Sequence, residues 1–471
     1  MCLFSRDSEE DGLKDTIVIG SGPGGYVAAI RCAQMGQSVA IIEKGEIGGV
    51  CTNTGCIPTK TLLESAKLIR EIKRGARRGL TFSDLNVDFS KVMRHKESVV
   101  SRNSKGIEYL LNENHVETIV GKGYVVDKNQ VKVEGEDGSS VLETKYIIIA
   151  TGSMERELPN LRIDGERILG SEQLLNTKEL PSSLLIIGGG AIGVEVAQIF
   201  SSFGTKVTIV ELLDGILPME DEAVGKVLTR VLKRGKVEIH TGSKVERVET
   251  VDSGVRAFVS GEEDFEIAVE KVLLSVGRVP VVDEDVIGPD VEYDKQGIKV
   301  NERMQTSVPN VYAIGDVTGK VMLAHVASQQ AEVAADNICG VDSVMDYSLV
   351  PSCIYTDPEV ASFGLSVQEA REKFGDVTVG EFPLRRSGRA RTSGDTEGFA
   401  RLISRADTEE ILGAQIVAPR ATDMLQLLLL AKERGVPISE IARIIYPHPT
   451  FIEMIREAAI EMRKKEKCKK R

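Results

Sequence analysis

The sequence contains one pattern twice: a short β-branched run, a glycine-rich turn, a stretch with helical periodicity, and a second apolar run that ends in glutamate. The first copy spans residues 15–43 and the second spans residues 184–211. In both copies the glutamate stands 23 residues after the first glycine of the turn. Short Val/Ile runs are typical of buried parallel strands. The sequence therefore predicts two similar strand–helix–strand units.

The two turns share the spacing Gly-x-Gly-x-x-Gly. The first glycine allows a tight turn, the second lets a pyrophosphate approach the backbone, and the third lets helix and strand pack closely. A helix N-terminus also stabilises an anion. Taken singly, each turn could be an ordinary glycine-rich connection, but the strands, helix and acid are in place in both copies, which favours two dinucleotide-binding domains. The glycines are Gly20, Gly22 and Gly25 in the first turn and Gly188, Gly190 and Gly193 in the second.

The acids that end the second strands suit binding of ribose hydroxyls. Glu43 has this position in the first copy and Glu211 in the second. Residues 212–214 are Leu-Leu-Asp, so a 2′-phosphate would meet the charge of Glu211 and no arginine. The second unit is therefore predicted to prefer NAD to NADP.

The length and composition are those of a multidomain globular protein. The chain has 471 residues, of which 42% are hydrophobic, and this predicts about three domains. A net charge of −12 argues against a nucleic-acid partner. No apolar run approaches the ~20 residues of a membrane helix, and the first residues lack the features of a secretory signal. We expect a cytoplasmic protein with no membrane partner.

After about residue 347 the pattern changes. Alternating strands (376–383, 398–404 and 410–417) and two helices (424–434 and 451–463) predict a separate α+β domain. The basic run at residues 463–471 is expected to be a solvated, frayed end. The predicted fold class is α/β, with two Rossmann-like dinucleotide-binding domains followed by an α+β C-terminal domain.

The seven cysteines are odd in number and widely scattered, which is not the pattern of a secreted disulfide framework. Cys51 and Cys56 alone are close in sequence, and such a pair in a reducing compartment is typical of redox or metal chemistry. No second Cys or His pair lies nearby to complete four zinc ligands, so we predict no metal site.

The segment after the pair has the apolar periodicity of a helix, and Pro58 suits its first turn. In a regular helix, residues five apart lie about 8–9 Å apart at Cα. A disulfide needs less than ~7 Å. A bridged pair therefore requires a distorted helix entry, for which Gly55 supplies the freedom. A helix N-terminus also favours the thiolate, the species that attacks a disulfide.

From about Thr16 to Ala459 the sequence resembles the flavin-dependent pyridine nucleotide–disulfide oxidoreductases, and within them it is most similar to the dihydrolipoamide dehydrogenases. The motifs occur in the order of that family. They are residues 20–25, Cys51 with Cys56, and residues 150–153, 188–195, 313–316, 322–325, 355–359 and 448–453.

The resemblance implies FAD and NAD as cofactors and gives each motif a role. The residues implied to bind or line FAD are Gly20, Gly22, Gly25, Glu43, Gly123, Thr151, Gly152, Ser153, Asp316, Met322, Leu323, Ala324 and His325. Those implied to bind NAD are Gly188, Gly190, Gly193, Glu211 and Gly277. Lys60 and Glu195 resemble the ion pair near the reactive edge of the flavin. The implied catalytic residues are Cys51, Cys56, His448 and Glu453, the last two as an acid–base dyad.

The resemblance also implies domain boundaries and partners. Residues 1–153 form the FAD domain, 154–276 the NAD domain, 277–346 a central segment that completes the FAD domain, and 347–471 the dimerisation domain. In the family the catalytic histidine reaches the flavin site of the other subunit, so a homodimer is expected. A lipoamide-like dithiol is the expected substrate, and a 2-oxo-acid dehydrogenase complex is a possible larger partner.

The implied reaction is dihydrolipoamide + NAD⁺ to lipoamide + NADH. The dithiol attacks the disulfide at Cys51, His448 takes the proton, and Cys56 passes the electrons to FAD. The alternatives are an NADH-dependent reductase of another disulfide (glutathione-reductase-like, which Glu211 disfavours), a flavin NADH oxidase, or a docking subunit. Mercuric reductases usually end in a vicinal cysteine pair, whereas this chain has only Cys468 there. Tyr446 stands where lipoamide dehydrogenases commonly have histidine.

Overall fold

The computed structural model describes residues 13–81, 83–136, 138–252 and 254–469. The predictions for residues 1–12 and for the last two residues lie outside these ranges. The chain divides into two compact units. The first extends from the first described residue to Pro58 and includes Arg94–Arg156 and Arg278–Asp346; the second comprises Thr59–Met93, Glu157–Gly277 and the chain from Tyr347 onward.

The first unit is built on a parallel sheet formed by the first strand–helix–strand copy. Lys14–Ile19 pairs with Val39–Glu43 on one side and with the second half of Gly138–Ile149 on the other. The sheet continues to Glu117–Val120 at one edge and to Val311–Ala313 at the other. The three central strands are short runs rich in Val and Ile that are buried on both faces, as covered parallel strands require, whereas the edge strand Glu117–Val120 is largely exposed.

The first half of Gly138–Ile149 belongs to an antiparallel sheet with Gln130–Gly135 and Lys122–Asp127. Two small ribbons complete the strands of this unit, and they pair Ser153–Glu155 with Arg278–Pro280 and Tyr293–Asp294 with Gly297–Ile298. The helices are Pro23–Gln34, Gly49–Asn53, Glu284–Ile287 and Ala324–Ile338, with a 3₁₀ turn at Gly315–Thr318. Two further helices, Cys56–Gly75 and Phe89–Glu113, are shared between the units: the division falls after Pro58 in the first and after Met93 in the second.

The second unit contains the second copy. Its parallel sheet has the order Glu238–His240, Lys206–Val210, Ser183–Ile187, Lys271–Leu274 and Ile168–Leu169. An antiparallel sheet of Lys244–Val251, Gly254–Ser260 and Phe265–Val269 packs on it through Val255, Ala257 and Val272. The helices are Ser171–Leu175, Ala191–Phe203 and Glu222–Arg234. Phe200, which is almost completely buried, belongs to a large apolar cluster that includes Leu184 of the sheet and Val224 of the last of these helices.

The C-terminal part of the second unit is an antiparallel sheet covered by helices. Its strand order is Ser352–Ile354, Glu359–Gly364, Ile411–Ala418, Phe399–Arg405 and Val377–Pro383. The helices are Val367–Phe374, Gly388–Ser393, Ala421–Glu433, Ile438–Ile441 and Glu453–Lys469, and 3₁₀ turns lie at Ala76–Arg78 and Leu384–Arg386. The apolar faces of the two longest helices, with Leu425, Leu428 and Met454, meet the sheet in one core.

The predicted fold class is confirmed: the chain has two Rossmann-like units and a C-terminal α+β domain. The predicted last helix is too short, because the backbone stays helical from Glu453 to Lys469 rather than ending at residue 463. The strand Val311–Ala313 ends where the chain turns into the 3₁₀ segment Gly315–Thr318. In the part of the chain that the structure describes, no helix is long and apolar enough to cross a membrane.

Candidate active site

The two glycine turns agree contact for contact. Gly25 lies so close to the first glycine that a Cβ on it would stand 1.8 Å from Gly20 O, and the matching distance from Gly193 to Gly188 O is 2.1 Å. Side chains are therefore excluded at both third positions. The middle glycines are different, since a Cβ on Gly22 or Gly190 would meet no atom within 4 Å. The backbone there borders open space at a helix N-terminus, as a pyrophosphate site requires.

The glutamates close both turns in the same way. Ser21 donates to Glu43 Oε2 from its N–H at 2.8 Å and from its hydroxyl at 2.7 Å. In the second copy, the Gly189 N–H donates to Glu211 Oε2 at 2.6 Å, and the Leu213 N–H donates to Oε1 at 2.9 Å. Each carboxylate thus holds the glycine turn of its own copy through hydrogen bonds. Ser21 is a site residue that the spacing of glycines did not identify.

Cys51 and Cys56 form a disulfide, with their Cα atoms 4.7 Å apart. The required distortion is present: Gly49–Asn53 and Cys56–Gly75 are separate helices, interrupted at Thr54 and Gly55. The predicted reason for Gly55 needs correction, because Gly55 is not in the left-handed region. A Cβ there would stand 3.0 Å from Val50 O, so close approach rather than backbone freedom favours glycine.

The disulfide segment starts against the first glycine turn. Gly49 has a φ of 59°, and a Cβ on it would stand 2.8 Å from the Cα of Gly22. The Gly48 N–H donates to Ser21 Oγ at 3.1 Å. The Asn53 side-chain amide donates to the carbonyls of Ile47 and Gly49 and so holds the short helix to its entry. The turn and the redox segment are therefore one packed structure within the first unit.

Lys60 and Glu195 form an ion pair, as predicted from the resemblance. Lys60 Nζ donates to both carboxylate oxygens of Glu195, at 3.1 and 2.9 Å. Glu195 is only 5% exposed, so its charge needs compensation. Tyr355 contacts both members of the ion pair: its N–H donates to Glu195 Oε1 at 2.8 Å, and its ring centroid lies 4.6 Å from Lys60 Nζ. Its motif was recognised in the sequence, but this contact was not predicted.

The segments implied to hold the rest of FAD meet at Asp316. The hydroxyl of Ser153 donates to Asp316 Oδ2 at 2.5 Å and accepts a 2.8 Å hydrogen bond from Arg278 Nε. Arg278 Nη2 also donates to the Ser153 carbonyl. The Thr151 hydroxyl donates to the Val281 carbonyl. Arg278 is a second residue that sequence reasoning missed, since only the preceding Gly277 was singled out.

The remaining predicted cofactor residues lie at several different places in the chain. Gly123 packs on Ile19, beside the first turn. Met322 and Leu323 directly precede the helix Ala324–Ile338. Gly277 is exposed and follows Ser275, whose hydroxyl donates to Gly188 O at 3.0 Å. The other predicted positions at these places are Gly152, whose carbonyl accepts from Val281 N–H, and the first two helix residues, Ala324 and His325.

His448 and Glu453 are paired, with Nδ1 2.8 Å from Oε1. Glu453 is the first residue of its helix, and its Oε2 accepts the Thr450 N–H at 2.7 Å. Partial burial raises the pKa of Glu453, but the hydrogen bonds from Thr450 and His448 outweigh it and leave the pKa below its ordinary value. The imidazole is 77% exposed, so Nε2 faces solvent in the single chain while Nδ1 is oriented by a carboxylate.

Tyr446 is half-buried, and its hydroxyl donates to the Ile441 carbonyl at 3.2 Å. Burial raises the pKa of Tyr446 to about 12. It therefore acts as a neutral hydrogen-bond donor rather than as a base. Within the described ranges, no group of three or more His, Cys, Asp or Glu side chains could hold a metal ion.

Comparisons with known proteins agree with this arrangement. The dihydrolipoyl dehydrogenase of Geobacillus stearothermophilus is 42% identical over 450 residues, which cover 94% of this chain and 95% of that one. A dihydrolipoyl dehydrogenase of Bacillus subtilis is 41% identical with the same coverage. Among solved structures, LpdA from Mycobacterium tuberculosis superposes with a TM-score of 0.88 at 27% identity, covering 95% of this chain and 99% of that one.

The HOCl-induced flavoprotein disulfide reductase RclA from Escherichia coli superposes with a TM-score of 0.83 at 27% identity and the same coverage. The profile described as pyridine nucleotide-disulphide oxidoreductase matches residues 14–331, and the profile of its dimerisation domain matches residues 350–459. With a disulfide packed on one dinucleotide turn and a second such turn in the chain, the protein belongs to the pyridine nucleotide-disulphide oxidoreductase family.

Proposed function

We propose that this protein is a dihydrolipoyl dehydrogenase, which transfers two electrons from dihydrolipoamide to NAD⁺ with FAD as the bound flavin. One observation carries the proposal: the helix that bears Cys51 begins against Gly22, in the turn that is suited to a dinucleotide. A disulfide that served stability alone would not need this position. The curated relatives with about 40% identity, which are named dihydrolipoyl dehydrogenases, support the choice of substrate.

The residues present fit both cofactors. The open backbone at Gly22 and Gly190 leaves room for a pyrophosphate, and Glu43 and Glu211 stand where ribose hydroxyls would bind. Asp316, oriented by Ser153 and Arg278, is an acceptor for a further hydroxyl of FAD. When bound, the flavin accepts an electron pair from the dithiol and supplies a hydride to the nicotinamide.

The chain's own residues perform the thiol chemistry. A substrate thiolate attacks the sulfur of Cys51, the bond to Cys56 breaks, and Cys56 leaves as a thiolate. His448 Nε2 takes the proton from the second substrate thiol, whose sulfur then closes the lipoamide ring and displaces Cys51. Glu453 holds the imidazole through Nδ1 and stabilises its cation, because a carboxylate at hydrogen-bond distance favours the protonated ring.

We further propose a cytoplasmic homodimer in which residues 347–471 form the interface, with the domain boundaries given above. A single chain leaves His448 mostly in solvent, and the dimerisation profile covers it. The partner subunit would enclose the imidazole. Assembly into a 2-oxo-acid dehydrogenase complex follows from the substrate and is part of the same proposal.

The test is a Cys51→Ser variant of the flavin-loaded protein, compared with Cys353→Ser as the matched control. We expect the variant to lose NAD⁺-dependent oxidation of dihydrolipoamide by at least ~1,000-fold while its flavin spectrum and oxygen-dependent NADH oxidation persist. Unchanged lipoamide turnover would refute the relay. A wild-type protein without measurable turnover despite full flavin loading would instead support a docking role.

A second candidate is the NADH-dependent reduction of a different disulfide. It is favoured by the superposition on RclA, a flavoprotein disulfide reductase, and by Tyr446, which replaces the histidine common in lipoamide enzymes. Steady-state assays with NADH and either lipoamide or glutathione disulfide separate the two candidates. The dihydrolipoyl dehydrogenase proposal expects a higher kcat/KM for lipoamide, and the reverse order would favour the second candidate.

A further inference from the structure

We propose that Cys32 and Cys339 form a second, oxidisable dithiol, separate from Cys51 and Cys56, which low-molecular-weight disulfides convert to a disulfide that links two helices of the first unit. Cys32 lies in the last turn of Pro23–Gln34, and Cys339 is the C-cap of Ala324–Ile338. Neither cysteine belongs to the motifs that identify the family.

The two helices run side by side with their C-terminal ends together. Near their starts, a Cβ on Gly24 would lie 3.3 Å from Ala327 O. Near their ends, Arg31 Nη2 donates to Asp336 Oδ1 at 2.9 Å. Since the residue after Arg31 is Cys32 and Cys339 lies three residues after Asp336, this packing brings the two thiols to one place.

The two thiols interact with each other, since each shifts the pKa of the other. Cys32 is fully buried, and Cys339 is partly exposed. The hydrogen bond to Cys339, together with burial, raises the pKa of Cys32. The hydrogen bond from Cys32 and the charge of Arg31 lower the pKa of Cys339, although burial, Asp336 and Asp15 oppose that shift. The accessible thiol is thus the better nucleophile, and the buried thiol stays protonated beside it.

The chemistry is two successive exchanges. The Cys339 thiolate attacks one sulfur of a disulfide R–S–S–R, forms a mixed disulfide and releases RS⁻. Cys32 then gives up its proton, its sulfur attacks the sulfur of Cys339, and the second RS⁻ leaves. The protein dithiol loses two electrons and R–S–S–R gains them as two thiols. Oxidation would tie the helix that follows the first glycine turn to its neighbour.

The experiment treats the flavin-loaded full-length protein, without NADH, with 2-hydroxyethyl disulfide. After quenching with acid, free thiols are alkylated and the unreduced peptides are mapped by mass spectrometry. We expect Cys32 and Cys339 to lose their alkylatable thiols and a peptide that joins Cys32 to Cys339 to appear. Cys353 is the internal control. Burial raises its pKa to about 11, so its thiol should stay protonated, should not react with the disulfide reagent, and should still be alkylated after the quench.

A Cys32→Ser variant should stop the reaction halfway and retain one half of the reagent on Cys339, whereas Cys339→Ser should leave Cys32 unmodified. If a variant fails to fold, the map of the wild-type protein still decides. The proposal is overturned if both thiols survive the treatment, if the wild-type protein stops at the mixed disulfide, or if Cys339 links to a cysteine other than Cys32.

Discussion

Among the described carboxylates of the second unit that are withdrawn from solvent, three are compensated in different ways. Glu195 faces the cation of Lys60, Glu211 accepts two backbone N–H groups, and Glu220 accepts the hydroxyls of Ser352 and Ser362 at 2.6 and 2.7 Å. A buried charge costs free energy unless such partners are present. The kind of partner therefore decides how each residue should respond to substitution.

Replacement of Glu211 by glutamine should relax the choice of nicotinamide. The amide side chain would keep an acceptor for the Gly189 N–H but would lack the charge that repels a 2′-phosphate. We expect the kcat/KM ratio of NADPH to NADH to rise ~10-fold, about 1.4 kcal/mol. Steady-state kinetics with both nucleotides measure it.

Glu43→Gln is the matched control for Glu211→Gln, since Glu43 has the same position in the first copy. It should weaken flavin retention and leave the nucleotide ratio as in the wild type. A changed ratio in Glu43→Gln, or an unchanged ratio in Glu211→Gln, would show that the two turns are not specialised as proposed.

Glu220→Gln should stabilise the protein above acidic pH. Burial raises the pKa of Glu220 despite the two serine hydroxyls, and neighbouring Asp221 adds to the rise. The folded state thus binds this proton more tightly than the unfolded chain, so stability is highest below the ordinary pKa of 4.5 and falls as pH rises through the raised value. Glutamine keeps one oxygen that accepts from a serine hydroxyl, and its NH2 group can donate to the other hydroxyl, so both contacts can persist without the charge.

Thermal unfolding against pH gives the measurement for Glu220→Gln. The Tm of the variant should match the wild type at the acidic end and exceed it at neutral pH. Glu263→Gln, at an exposed turn, should show no such divergence. A neutral-pH Tm below that of the wild type would mean that the carboxylate is stabilised by its surroundings.

At the scale of elements, different glycines of one turn are required for folding and for nucleotide binding. Gly193 has no room for a side chain, whereas Gly190 borders open space with a φ of −72° that any residue adopts. Gly190→Ala should therefore fold with an unchanged Tm and raise the KM for NADH by ~10-fold or more, because its methyl occupies the proposed pyrophosphate site.

Gly193→Ala is the contrasting variant. Forcing a Cβ against Gly188 O should cost about 1–3 kcal/mol and lower the Tm by several degrees. Calorimetry and NADH kinetics on both variants give the comparison. If the Gly190→Ala variant bound NADH as tightly as the wild type, the proposal that the nucleotide binds at that turn would be wrong.

The elements themselves were predictable where the pattern is local. Both strand–helix–strand copies lie within a few residues of their expected bounds, because alternation, glycines and Val/Ile runs are short-range signals. The double use of Gly138–Ile149 in a parallel and an antiparallel sheet was not predicted, since it depends on pairings between distant segments. The bonds from Arg278 to Ser153 and from Tyr355 to Glu195 were missed for the same reason.

At the scale of the whole molecule, the exposed side chains of the C-terminal domain suit the proposed dimer. Ile445 is 99% exposed and Ile444 is also exposed, a few residues before His448. Adjacent apolar side chains in solvent are typical of an interface. A single chain would therefore leave both the apolar pair and the proposed base uncovered.

Ile445→Asp should produce a monomer that keeps its flavin but loses lipoamide turnover by ~100-fold or more, since proton transfer by His448 would require the partner subunit. Analytical ultracentrifugation and the flavin spectrum measure the two effects. Val120→Asp, at an exposed apolar residue outside the dimerisation profile, is the control and should stay dimeric. A fully active monomer would contradict the proposed role of the partner.

The interruption at Thr54 and Gly55 has a mechanical consequence. Cys51 and Cys56 are each anchored in a helix of their own, so parting the sulfurs leaves the hydrogen bonds of both helices intact. Each cycle of breaking and re-forming the disulfide then requires only rotation about the side-chain bonds of these two cysteines. No secondary structure has to unfold and refold. The scaffold can stay stiff while the crosslink between Cys51 and Cys56 is broken and re-formed.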